Sequence, residues 1–174
     1  MPHMQDPYFG RSVIFICEHN EDGALGFIVN KSFETPELQE LFSDFFPQKD
    51  DILKLLPQVY FGGPVLVERG IVLHSADYET EITIKVGDDF SLTSNKTVVQ
   101  DIAEKKGPQH YKLMLGHAGW AQHQLEAEIE NGDWLLQHTN LDYIFKTDEQ
   151  YMWDIAAKSF GIDLGEFSIL GGSA

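Results

Sequence analysis

The stretch Leu113–Trp134, LMLGHAGWAQHQLEAEIENGDW, decides how the rest of the chain is read. With the two residues before it, its apolar start predicts a strand over Tyr111–Leu115. Gly116 and Gly119 lack a Cβ and so allow the chain to turn from strand into helix. Ala121, Leu125 and Ile129 recur at helical spacing, which predicts a helix over Trp120–Glu130 with those residues on its inner face. Asn131-Gly132 ends that helix. Trp120 then belongs to the core, and Glu126, Glu128 and Glu130 to a solvated face.

Upstream, Ser12–Cys17 (SVIFIC) and Ala24–Asn30 are β-rich runs separated by the polar turn Glu18–Gly23, the pattern of a hairpin. Thr35-Pro36-Glu37 is a helix start, with Leu38, Leu41, Phe42 and Phe45 following at helical spacing. Asp50–Leu56 suits another helical turn or two. Val59–Phe61, Gly70–His74, Glu81–Val86 and Phe90–Thr93 are strand candidates. The strict alternation of Ile82, Ile84 and Val86 marks the third of them as half-buried. Ser94 or Asn95 caps a helix that runs to about Lys106 and stops at Gly107-Pro108. Downstream, Trp134–His138 is expected to be a strand. Asp148–Phe160 is expected to be a helix capped by Thr147 and ended by Gly161, before a short Gly-rich tail, Ile162–Ala174. Strands come in clusters with helices between them and no steady βαβ alternation, which indicates an α+β fold.

The chain has 174 residues and a mass of 19.7 kDa. A chain of that length is expected to form one domain, residues 1–174, burying about 70% of its unfolded surface. Asp plus Glu number 28 against 12 Lys plus Arg, a net charge of −16. A field of that sign repels phosphate backbones, so direct nucleic-acid binding is not expected. The single cysteine, Cys17, excludes an internal disulfide and multi-cysteine zinc sites. No apolar run is long enough to span a membrane and the N-terminus has no signal-peptide pattern, so the expected location is cytoplasmic.

Several blocks, in order along nearly the whole chain, resemble the bacterial AlgH/YqgE family. They are MQDPYFGRSVIFICEHNEDGALGFIVNK, VYFGGPV with RGIVLH, SLTSN, GHAGWAQHQLEAEI and GIDLGEFS. The resemblance implies a strongly curved, bifurcated mixed β-sheet that closes partly into a small barrel surrounded by helices. One member's name implies regulation of alginate synthesis, and with it transcriptional regulation. This chain, however, shows no helix-turn-helix with basic recognition residues, so an effect on transcription would pass through a protein partner. His117 and His123 stand where the family pattern has an aromatic and a small residue.

Candidate chemistry falls in three places. His123, Glu126 and Glu130 could share a helix face with His117 nearby, a conceivable zinc or manganese set. The two departing histidines weaken it, and no metal or other cofactor is expected. Glu18, His19 and Asn20 follow one strand end, while Asn30, Arg69 and His74 lie at or near others; all match family blocks. Together they are the candidate polar pocket, where a histidine with a neighbouring carboxylate suits acid–base work. The competing reading has Glu18, His19 and Asn20 satisfying turn backbone and Arg69 pairing a surface carboxylate. Cys17, beside His19, is the candidate redox thiol, against the reading of a small buried hydrophobe.

Gly62-Gly63-Pro64 lacks the frame, lysine and following helix of a phosphate loop and suits a chain bend instead. No serine lies in a G-x-S-x-G elbow. Glu79, Glu81, Asp88 and Asp89 suit a solvated sheet edge. Without a complete catalytic motif, the expected function is that of a non-enzymatic regulatory or adaptor protein acting through an unidentified protein partner. The alternative is a small enzyme or ligand-binding protein using Glu18, His19 and His74. An exposed apolar groove would favour the first, and a closed pocket where those residues converge the second.

Overall fold

A computed structural model of the chain describes residues 8–33 and 58–162. Along them run β1 (Ile14–Asn20), β2 (Gly23–Ile28), β3 (Val59–Phe61), β4 (Val65–Ser75), β5 (Ile84–Val86), β6 (Phe90–Thr93), α1 (Lys96–Ala103), β7 (Tyr111–Ala121), α2 (Gln124–Glu130), α3 (Leu141–Lys146) and α4 (Glu149–Ser159). The helix expected after Thr35-Pro36-Glu37, the turns at Asp50–Leu56 and the tail beyond Ile162 lie outside the described residues.

β7 is the axis of the sheet, whose order is β1-β2-β7-β4-β6-β5 with β3 also on β7. Its first half, Leu113–Leu115, is flanked by β3 in parallel and β4 antiparallel; its second half, Ala118–Ala121, pairs with β2. β3 and β2 thus share one edge of β7 at different heights, and the sheet forks there. At its two ends the curvature brings Phe15 of β1 and Phe90 of β6 to 4.7 Å between ring centroids. The α+β fold is therefore a nearly closed, largely antiparallel barrel with, among the described residues, four helices around it. Phe15, Phe27, Leu73, Leu92 and Met114 fill its interior, and Ile144 of α3 and Met152 of α4 close the gap. On another face Val98, Val99 and Ile102 of α1 pack on Val72 and Leu113.

The structure corrects the reading of Leu113–Trp134. The strand does not stop at the glycines: β7 continues through Gly116, Gly119 and Trp120 to Ala121, and α2 starts only at Gln124. Gly116 has φ +70°, and a Cβ there would collide with the Gly63 carbonyl, so the glycine serves a close crossing of two chain segments. The turn into α2 is made at His123, in the left-handed region at φ +63°. Ala121 is accordingly a strand residue, and Leu125 alone of the expected inner face is fully buried.

Trp134–His138 is not a strand: among the described residues, no strand pairs with it. The short helix α3, with Asn140 as its cap, was not anticipated. Only Ile84–Val86 of the alternating segment is paired, and Ile82 and Ile84 are 48% and 65% exposed, because no described element lies over this edge of the sheet. The caps at Asn95 and the end of α4 at Gly161 agree with the expectation, although Asp148 rather than Thr147 caps α4.

Candidate functional site

β1 carries a bulge: Ile16 pairs with Gly26 and Glu18 with Leu25, leaving Cys17 as the extra residue. The bulge lays Cys17 against the barrel core, and its Sγ donates to the Phe15 carbonyl at 3.6 Å. Burial pushes the thiol up to about 12, so the expected candidate redox cysteine is held protonated at neutral pH.

Beyond the bulge, Asn20 Nδ2 donates to Glu18 Oε1 at 2.7 Å, and Asn20 Oδ1 accepts from the Asp22 N–H at 2.8 Å, a side chain closing the hairpin turn. His19 Nε2 meets Glu126 Oε1 of α2 at 2.6 Å. The Glu126 carboxyl lies below its ordinary value because its own backbone N–H and then His19 stabilise the charge. His19 and Glu126 are both about half exposed, so this is a surface tie between hairpin and helix.

The other members of the expected pocket lie elsewhere. Asn30 joins the chain ends at the opposite side of the hairpin, accepting from the Val13 N–H at 2.7 Å and donating to the Arg11 carbonyl at 3.0 Å. Arg69 is exposed within an irregular segment of β4 between Val65 and Gly70; burial and then its charge push His117 down. His74 is fully buried. Its Nδ1–H donates to the Ser75 carbonyl at 2.8 Å, which leaves Nε2 to accept from the Thr93 hydroxyl at 2.9 Å. Thr93 in turn meets Thr83 at 2.8 Å, and Ser75 binds Asp77, so His74 anchors a loop to the sheet. His74 is level with Tyr111 of β7, whereas His19, through Ala24, is level with Trp120. Nine residues of strand, roughly 25–30 Å, separate the two histidines. The six residues do not converge. Among the described residues, no three His, Cys, Asp or Glu side chains form a metal-holding group.

What the structure does form is an apolar groove of about 250 Å3 along the outer edge of β1. Ile14, Phe15 and Ile16 line one side, Trp153 and Ala157 of α4 with Phe160 just after it the other, and Trp120, Leu125 and Trp134 one end. The tryptophans are held in place. Both Trp120 Nε1 and Trp134 Nε1 donate to Glu128 Oε2 at 2.8 Å, with their rings edge to face. Arg11 lies over the Trp153 ring at 4.7 Å and pairs with Asp154 at 2.7 Å. Leu135 and Leu136, 48% and 61% exposed, form the lip. Sequence reasoning missed this site because its walls come from four separate segments. One signal was available: adjacent Leu135 and Leu136 break the alternation of a half-buried strand, so one of them had to lack a core partner.

Comparison with known proteins places this geometry in a family. The AlgH-like family model matches residues 1–165. The UPF0301 protein YqgE of Salmonella paratyphi B is 36% identical over 167 residues, covering 94% of this chain and 89% of the relative. A UPF0301 protein of Ruegeria pomeroyi is 43% identical over 164 residues, with the same coverage of both chains. The solution structure of the AlgH protein from Pseudomonas aeruginosa superimposes with a TM-score of 0.72 at 31% identity, covering 100% of this chain and 92% of that one. The shared fold, the full-length matches and the order of the resembling blocks agree: the chain belongs to the AlgH-like (UPF0301) family.

Proposed function

We propose that this protein is a non-enzymatic regulatory or adaptor protein that acts through a protein partner seated in the groove beside β1. The carrying observation is the groove itself: apolar, open, and walled by three tryptophans whose orientations are set by Glu128 and Arg11. Rigid aromatic anchors around an open apolar trough are the usual furniture of a docking site. Direct binding to nucleic acid is disfavoured by the net charge of −16. The alternative, chemistry at Glu18, His19 and His74, lacks a common cavity, since His74 is buried at the far end of β7.

The test is capture of partners from the native cytoplasm by the tagged protein and by its Leu136→Asp variant. A partner retained reproducibly by the wild type and lost by the variant supports the reading. A partner held equally by both, or none at all, counts against it.

A further inference from the structure

Among the described residues, β1 is the terminal strand of the sheet and pairs on one side only, with β2. Val13 faces that side: its carbonyl accepts from Val29 N and its N–H reaches Asn30. By the alternation of an antiparallel ladder, the N–H and C=O groups of Ile14 and Ile16 point the other way, into the groove. A sheet edge left open beside an apolar trough is a template for one more strand. The far lip is open too. From Trp134 to Thr139 the chain runs without turn or bend, and its backbone groups make no hydrogen bond to the other described residues. That lip is nevertheless anchored, by Trp134 on Glu128 and by Gln137 Oε1 accepting from Ser159 at 2.9 Å.

We propose that the occupant of the groove is an extended segment of a partner protein, apolar at alternate positions and basic where it passes the hairpin end of β1, that adds as a strand to the free edge of β1. The inference rests on the docking reading above and specifies what docks. Main-chain bonds to Ile14 and Ile16 supply register and affinity, while alternate side chains enter the trough between β1 and α4. The basic flank follows from charge. Glu18 and Glu126 stand at the hairpin end of β1, Glu128 lies between the two indoles, and the whole chain carries −16. A second copy of the chain would bring the same negative field, so the complementary occupant is a different protein.

The probe is a synthetic peptide of about ten residues, alternating valine or leucine with threonine and ending in paired lysines. It is added to the full-length protein while tryptophan emission and residue-resolved amide exchange are followed. At saturation, exchange at Ile14 and Ile16 is expected to slow by about tenfold or more. Binding is expected to weaken as salt is raised from about 50 to about 500 mM. The same peptide N-methylated on the edge facing β1 keeps its side chains and is expected to give no protection.

Three results overturn the proposal. One is binding of a helical peptide with matched side chains that shifts the emission but leaves Ile14 and Ile16 exchanging freely; the groove would still be a docking site, occupied differently. Another is equal binding of an acidic-flanked peptide, or no binding by any extended peptide. The third is slow exchange of both amides in the free protein, which assigns the edge to a segment of this chain or, if concentration-dependent, to a second copy. Loss of partner capture on Leu136→Asp is read separately, so failure of the strand inference and failure of the docking reading are distinguishable.

Discussion

Gly116, midway along β7, packs against the backbone of Gly63 so closely that a Cβ on either residue would collide with the other segment's main chain. Both have positive φ, +70° and +148°. This contact lets the bend after β3 pass over β7 and turn into β4, and so determines where the sheet forks. Gly116→Ala is therefore expected to lose on the order of 3 kcal/mol, from strain plus overlap with backbone that cannot give way. Gly161 has a similar φ of +73° but open space around it. Gly161→Ala should cost only about 1 kcal/mol. Urea midpoints of the two variants measure the difference.

Lys112 is buried, donates to the Val29 carbonyl at 2.7 Å and lies over the Tyr60 ring at 4.0 Å. Burial pushes its ammonium down to about 8, partly offset by the Glu149 carboxylate. Between pH 8 and 10.5 the unfolded chain then holds a proton that the folded one has released, so this lysine's contribution to stability rises with pH there. Cys17, pushed up to about 12, opposes it above pH 9. The comparison that isolates the lysine is wild type against Lys112→Met, whose stability difference should shift in favour of wild type across that window. At neutral pH, Lys112→Met alone should cost about 2–4 kcal/mol by stranding the Glu149 charge. The double variant with Glu149→Gln should recover part of that loss, a coupling that a double-mutant cycle reads.

His74 behaves in the opposite part of the pH range. Burial lowers it below 6.5, against the Ser75 carbonyl and Asp77, which favour the charged form. As pH falls below 6.5 the unfolded state takes up a proton that the folded state resists, and stability declines. His117 shifts in the same direction. His74→Gln and His117→Gln should each flatten the slope of stability against pH just below 6.5, measured by chemical denaturation at fixed ionic strength.

Cys17 should react with iodoacetamide more slowly in the native protein than free cysteine does at the same pH. Its thiolate fraction is cut by burial, and the bulge turns it toward the core. Labelling at or above the free rate would show that the β1 bulge opens.

Leu136 is 61% exposed and contributes its side chain to the lip of the groove. Leu136→Asp should shift stability by no more than about 0.5 kcal/mol. A larger loss, seen as a lowered Tm, would mean that the lip supports the fold.

Local signals carried most of the element types. The hairpin of β1 and β2, the strand at Phe90–Thr93, the Asn95 cap of α1 and the body of α4 were all legible, because each rests on alternation, a capping side chain or a helix-ending glycine. Gly116 was misread because a glycine that permits a turn and one that permits a close crossing look alike in one dimension. Trp134–His138 has strand-like composition but lies where no neighbour offers hydrogen bonds. Glu18 and His19, read as turn residues, instead extend β1, while His74 lies one residue from the end of β4, and the ends of a forked sheet point to opposite sides of the molecule.

By itself the sequence determined the family, the α+β class and the sign of the field around the molecule, since these follow from local pattern and summed charge. Only the tertiary structure decided where the apolar groove lies. The groove exists because β1 ends the sheet among the described residues and because α4 and the Trp134–Thr139 lip come to stand opposite it. Such a surface is made of long-range neighbours, and no periodicity along the chain records them.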